Sequence, residues 1–189
     1  MKKLFLIPLI VCCFSFTYGQ ENPKKWISSG FVNAMVNGKV NYTYHDTDRW
    51  QEMSLTGKGA IELSYNLDFK FSQRLSIGAL AGYTHINEPA FSSLKIGSAL
   101  KFFYVKDKNY YLTFQYGYHI PFNRDKFREG HQIKIGQYFD VARISNYRLL
   151  LGFFYNYDFF YLENPLFIPT NRGESILFHS YGISLGIKI

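Results

Sequence analysis

Apolar and polar residues alternate along most of this chain with a period of two, which is the period of a β-strand with one face against an apolar environment. In the last segment one face carries Leu177, His179, Tyr181, Ile183, Leu185, Ile187 and Ile189. The opposite face carries the small or polar residues Ser180, Gly182, Ser184, Gly186 and Lys188. Eight such segments occur, and they span residues 28–40, 57–71, 75–86, 93–105, 110–120, 131–142, 148–161 and 177–189.

The links between these segments alternate in length. Short links rich in turn-forming residues lie at 72–74, 106–109 and 145–146, and mostly longer links lie at 41–56, 87–92, 121–130 and 162–174. Bacterial outer-membrane barrels have short periplasmic turns and longer extracellular loops, and they close because lipid cannot satisfy an open sheet edge. The pattern therefore predicts an all-β fold, an eight-stranded antiparallel up-and-down transmembrane β-barrel with both termini in the periplasm.

The period of two also assigns each side chain to a face. In the segment 57–71 the outward residues are Ile61, Leu63, Tyr65, Leu67 and Phe69. The first segment has the weakest alternation; its outward residues are expected to be Val32, Ala34, Val36 and Val40. Its inward residues are then Asn33, Asn37 and Lys39.

Charged residues of both signs take inward positions in the predicted barrel. They are Lys58, Glu62, Asp68, Lys70, Lys95, Lys101, Lys134, Asp140, Arg148 and Asp158. Because a buried unpaired charge is costly, this set predicts a salt-bridge network in the lumen. An eight-stranded barrel is just wide enough for its own side chains to fill, so we expect no open pore.

Two glycines of the last segment, Gly182 and Gly186, also point inward. Glycine in a strand leaves space for a neighbouring side chain. We expect these two positions to make room for the bulky inward residues Phe154 and Tyr138.

The first residues have the composition of a secretory leader. Lys2 and Lys3 precede an apolar run at 4–16, and residues 17–19 form a small-x-small cleavage site. We expect a signal peptide at 1–19, a short periplasmic lead-in at 20–27 and the barrel at 28–189. Both cysteines, Cys12 and Cys13, lie in the leader, so the mature chain can form neither a disulfide nor a cysteine-ligated metal site.

Composition and charge agree with a membrane barrel. The chain has 16 Tyr, 19 Phe and 2 Trp, and its mean hydropathy is only −0.14. Such an aromatic surface suits a lipid-facing band with interfacial girdles. The net charge of +7 is scattered along the chain, so we expect contact with outer-membrane lipid and no nucleic-acid partner.

Catalytic and metal-binding patterns are weak in this sequence. His179 and Ser180 are adjacent, so in a strand they point to opposite faces and cannot act together. His45 and Asp46 lie with Asp48 in the first long link, where solvated residues are more common than a metal site. We therefore expect no enzyme activity, no cofactor and no metal. A lipid-modifying enzyme, a narrow channel and a secreted lipocalin-like barrel remain alternatives.

Aromatic residues in the long links are the candidate contacts with another molecule. They are Tyr42, Tyr44, Trp50, Phe122, Phe127 and Phe167. Loops that combine aromatic and charged residues are typical binding surfaces for a protein or a glycan. The expected role is accordingly structural or interactive.

The leader, the eight segments, the loop asymmetry and the ending from Tyr181 to Ile189 together resemble the outer-membrane β-barrel superfamily, in particular the small OmpA and OmpX type. The resemblance implies that the barrel-assembly machinery recognises the last strand. The chain ends in Ile189, where many members end in Phe. The resemblance implies a fold and no particular activity.

Overall fold

A computed structural model describes residues 26–46, 49–105, 110–167 and 172–189. The predicted signal peptide, most of the lead-in and the predicted turn at 106–109 lie outside these residues. Within them, no helix is long and apolar enough to cross a membrane. Trp26 and Ile27, the last two residues of the predicted lead-in, belong to the first strand.

Nine antiparallel strands form one sheet. They are β1 (Trp26–Asp46), β2 (Arg49–Leu55), β3 (Ala60–Lys70), β4 (Leu75–Asn87), β5 (Ala90–Phe103), β6 (Tyr111–Pro121), β7 (Phe127–Ile144), β8 (Tyr147–Leu162) and β9 (Arg172–Lys188). From β3 to β9 each strand pairs with the next, and β9 pairs with β1 to close the ring.

Strands β2 and β3 share one position in the ring. Both pair with the edge of β1 that β9 does not occupy, β2 along Val40–Asp46 and β3 along Trp26–Met35. The ring therefore has eight strand positions, which confirms the eight-stranded antiparallel barrel. We call the end that carries β2 and the β4–β5, β6–β7 and β8–β9 links the hairpin end. The opposite end, where β1 starts and β9 finishes, is the turn end.

For two of the predicted long links, the prediction of a loop is wrong. The link 41–56 is mostly a β-hairpin, because β1 continues to Asp46 and β2 returns alongside it. The link 87–92 is a two-residue turn at Glu88 and Pro89, since β5 already begins at Ala90. Strands that project beyond an apolar environment need no apolar outward face, so hydropathy alternation fades there although the strand continues.

The outward face agrees with the predicted period along most of the wall, where Val32, Leu63, Phe114 and Leu185 are all exposed. The exception lies in β1, toward the hairpin end. Its register against β9 shifts between Asn37 and Lys39, which is the mark of a β-bulge. One extra residue reverses the faces beyond it, so Lys39 is exposed and Val40 is buried, the reverse of the prediction.

Glycines make room for aromatic rings in the lumen. A Cβ at Gly182 would lie 2.3 Å from Cζ of Phe154, as expected. A Cβ at Gly186 would meet Phe31 of β1, 2.3 Å from its Cδ1, and not Tyr138. Tyr138 lies over Gly152, where a Cβ would be 2.5 Å from its Cε1. Closure of the ring sets these pairings, because it brings β1 against β9.

Candidate functional site

The lumen is filled in three layers, and the layer at the hairpin end is apolar. Its buried residues are Met35, Val40, Tyr42, Ala60, Ile86, Phe91, Phe127, Phe154, Phe160, Leu162, Ile176 and Phe178. The ring of Phe91 stacks on Phe127 with centroids 4.1 Å apart and meets Phe160 edge-on at 4.7 Å. This aromatic packing closes the hairpin end of the lumen.

The central layer is a charged network built around Glu62. Lys95 Nζ lies 2.5 Å from Oε2 of Glu62, and Lys134 Nζ donates to Oε1 at 2.6 Å. Asn33 and Gln132 donate to the same carboxylate at 2.8 and 3.2 Å. All five side chains are buried. The carboxylate is therefore saturated with donors, as burial of charge in a lumen requires.

A second buried chain of hydrogen bonds adjoins this network, and sequence reasoning missed it. Ser93 Oγ lies 2.8 Å from His119 Nδ1, and His119 Nε2 lies 3.1 Å from Oδ1 of Asp158. Asn156 donates to the other oxygen of Asp158, and the ring of Phe160 packs against His119. The order serine, histidine, acid is that of a hydrolytic triad.

Burial decides what this chain of residues can do. Ser93, His119 and Asp158 lie beneath the apolar layer and are almost wholly inaccessible. A serine nucleophile needs contact with its substrate, and neither solvent nor lipid reaches Ser93. The arrangement satisfies three buried polar groups from β5, β6 and β8. Their inward phase was visible in the sequence, but their proximity depends on the pairing of the strands.

The layer at the turn end combines aromatic rings with cations. Its buried apolar residues are Ile27, Phe31, Phe103, Tyr111, Tyr138 and Leu150. Lys101 Nζ lies 2.6 Å from Oδ2 of Asp68, and Arg148 Nη1 donates to Asp140 at 2.8 Å. Lys70 lies over Phe103, 5.0 Å from the ring centroid. The lumen is thus closed by packed side chains at both ends of its polar centre.

Lys58 requires a correction, because it does not belong to the lumen network. It lies in the break between β2 and β3, its side chain is 76% exposed, and it pairs with Glu88 at 3.1 Å. The strict period of two extended the inward assignment to a residue that precedes the start of β3 at Ala60.

The candidate contact residues divide into two groups. Tyr42 and Phe127 are fully buried in the apolar layer, so the prediction that they form an exposed binding surface is corrected. Tyr44 is half-buried and stacks on Tyr42, with centroids 5.6 Å apart, and Phe167 meets Tyr42 edge-on at 5.1 Å. Tyr42 faces inward because the strand alternation of β1 continues into the hairpin that it forms with β2.

Trp50 and Phe122 remain as exposed aromatic side chains at the hairpin end, 57% and 56% exposed. Trp50 lies in β2 and faces His45 across the hairpin, with ring centroids 5.1 Å apart. Phe122 follows β6, and its backbone N–H donates a hydrogen bond to Ser92 O. Phe167, in the β8–β9 link, is 39% exposed.

Strand β2 has one edge without a neighbour among the described strands. Its seven residues pair with β1 on one side only. The strand next to β3 on the other side, β4, ends at Asn87, whose N–H donates to Gly59 O, past the point where β2 ends at Leu55. The hairpin end therefore presents main-chain donors and acceptors in strand spacing.

The remaining candidate groups do not assemble. His179 contacts Tyr155 on the outer wall at 2.5 Å, whereas Ser180 points inward and donates to Asn37 at 2.8 Å. Their opposite faces are as the sequence indicates. No group of three or more histidine, cysteine, aspartate or glutamate side chains in the described ranges could hold a metal ion. Asp48 lies outside those ranges.

No family model matches the chain, and neither does any curated protein. Solved structures do. The outer membrane protein OprG from Pseudomonas aeruginosa matches with a TM-score of 0.56 at 10% identity, over 87% of this chain and 95% of OprG. The outer membrane protein AlkL, solved in lipid bilayers, matches with a TM-score of 0.54 at 11% identity, over 90% and 93%. The fold is that of a small outer-membrane β-barrel.

Proposed function

We propose that this protein is an integral outer-membrane barrel that binds a partner protein at its hairpin end, with the hairpin end outside the cell and both termini in the periplasm. As the sequence resemblance implies, we group it with the small barrels of the OmpA and OmpX type, assembled by the barrel-assembly machinery. The wall of apolar side chains suits contact with lipid. The filled lumen argues against diffusion through the barrel.

The open edge of β2 is the observation that carries the interaction role. Addition of an extended segment to an exposed strand edge is a common mode of peptide recognition, in which main-chain hydrogen bonds supply affinity. Trp50 is exposed on the same strand and can anchor a partner side chain. A protein segment fits this edge better than a glycan, because only a peptide main chain matches its donors and acceptors along the strand.

Location and orientation are tested with single cysteines, since the mature chain contains none. Trp50→Cys is expected to react with a membrane-impermeant maleimide on whole cells. Asn146→Cys, in the β7–β8 turn, is expected to react only after the outer membrane is opened. The reverse labelling pattern would overturn the orientation, and recovery of the protein in the periplasm without detergent would overturn the location.

The partner role is tested by photo-cross-linking on whole cells from a reactive residue at Trp50. A discrete adduct is expected, and proline substitutions at Gln51 and Glu52 provide the test of the edge. Amide groups of successive strand residues point to opposite edges, so one of these two prolines removes an edge donor while the other disrupts the pairing with β1. The edge variant should fold and lose the adduct. An adduct that survives both prolines would exclude strand addition.

Two competing functions are separated by direct measurements. Open-channel currents in planar bilayers would show that the lumen conducts. A change in the acyl chains of lipid A that depends on the protein, and is lost in Ser93→Ala, would show that the buried serine acts on lipid.

A further inference from the structure

A cavity of about 400 Å³ lies on the outside of the barrel at the hairpin end, where β6 leads into β7. It is lined by Tyr118, Ile120, Arg124, Phe127, Arg128 and Glu129. Apart from Phe127, which also packs in the apolar layer of the lumen, its lining residues lie outside both the lumen and the open edge of β2. The proposed partner role does not use this cavity.

The position of the cavity joins two environments. Tyr118 and Ile120 continue the outward face of β6, below which Phe114 and Tyr116 are exposed on the wall. Arg124 lies in the link that follows β6. The cavity therefore opens where the apolar wall ends and charged residues begin, which is the depth of lipid headgroups in a barrel of this orientation.

The charged side chains of the cavity leave cationic groups available. Arg124 is exposed and has no carboxylate within ion-pair distance in the described part of the chain. Arg128 Nε lies 3.7 Å from Oε2 of Glu163, and both side chains are more than half exposed, so this contact holds the guanidinium weakly. The carboxylate of Glu129 already accepts a hydrogen bond from the Tyr118 hydroxyl at 2.7 Å.

We propose that this cavity binds the phosphate group of a lipid in the outer leaflet, an inference that rests on the proposed orientation. The guanidinium groups of Arg124 and Arg128 donate to the phosphate oxygens, in the bidentate manner for which arginine is suited. The acyl part of the lipid follows Tyr118 and Ile120 down the wall. Because the cavity is continuous with the apolar wall, a phosphate group carried by a lipid should bind there better than inorganic phosphate.

The test measures binding of lipid A to the purified barrel in detergent by native mass spectrometry. The probe lipids are lipid A with both phosphates and the same lipid after removal of its phosphates. The double variant Arg124→Gln/Arg128→Gln is compared with Arg49→Gln/Arg143→Gln, which removes two exposed arginines that do not line the cavity. Arg49 begins β2, which pairs with β1, and Arg143 lies near the turn end of β7. We expect about a tenfold loss of phosphorylated lipid in the first variant and no loss in the second.

Each other outcome counts against the proposal. Equal binding by both variants, or equal binding of the lipid without phosphates, would exclude a phosphate site in the cavity. Displacement by millimolar inorganic phosphate as effective as by lipid would mean that the wall contributes nothing. Heat-dependent gel mobility shows whether each variant is folded, and Arg124→Lys/Arg128→Lys, which retains the charges, should recover part of the binding.

The binding measurement and the whole-cell labelling fail independently. Loss of the predicted lipid selectivity in detergent would overturn the phosphate site. It would not affect the orientation, which the whole-cell labelling tests separately. Labelling of the turn end on whole cells would overturn the assignment to the outer leaflet even if the purified barrel binds phosphorylated lipid.

Discussion

Replacing Glu62 by Gln is the perturbation that most directly tests the lumen network. The change keeps the shape of the side chain and removes its charge. Lys95 and Lys134 then share a closed lumen without their common counter-ion. Their ammonium groups approach the two oxygens of that carboxylate. Because both lysines are buried, water cannot replace the lost interactions with the carboxylate.

The magnitude follows from this geometry. Because each ammonium nitrogen lies within 2.6 Å of an oxygen of one carboxylate, the two nitrogens are at most about 7 Å apart. They therefore repel by at least about 2 kcal/mol at an effective dielectric constant of about 20. Loss of the charge-assisted hydrogen bonds adds to this, and removal of one partner of a buried ion pair costs about 3–5 kcal/mol. We expect Glu62→Gln to lower the free energy of unfolding by that amount.

The assay is urea unfolding of the barrel in lipid vesicles, followed by tryptophan fluorescence and by gel mobility without heating. The matched control is Glu88→Gln, the same chemical change in the exposed pair with Lys58, which should alter the free energy of unfolding by less than about 1 kcal/mol. Adding Lys134→Met to Glu62→Gln should recover part of the loss. Equal effects of the two glutamine variants would refute the reasoning.

Three further changes test the wall and its turns by the same unfolding measurement. Gly97→Ala should destabilise the barrel by about 1–3 kcal/mol, because the new Cβ would lie 2.0 Å from a backbone oxygen. Gly30→Ala should be nearly neutral, because nothing lies within 4 Å of a Cβ at that position. Leu63→Arg should cost about 2–4 kcal/mol on the lipid-facing wall, and Ser64→Ala less; the opposite order would mean a register slip. Ser145 has a φ of 54°, so Ser145→Gly should stabilise by about 0.5–1 kcal/mol; a loss of stability would show that its side chain matters more than its backbone strain.

The alternation along the chain was sufficient to predict the ring of strands and most of the side-chain faces. A strand with lipid on one side must alternate, so the inward position of Glu62, Lys95 and Lys134 could be predicted from their phase within each segment. The need to neutralise charge in a narrow lumen then predicts that they pair. Local pattern was sufficient here because the environment outside the wall is uniform along its length.

Two features depend on how the strands pair in three dimensions. They are the structure beyond the wall and the contacts between residues of different strands. Alternation weakens where strands leave an apolar environment, so the β1–β2 hairpin and the burial of Tyr42 and Phe127 had no signal in hydropathy. A single bulge reversed the face on which Val40 lies. One extra residue shifts the alternation by one position, and the pattern along the strand does not show where this shift occurs. The contact between Ser93, His119 and Asp158 joins three strands, and its distances depend on the relative shift of those strands, which a pattern along one strand cannot contain.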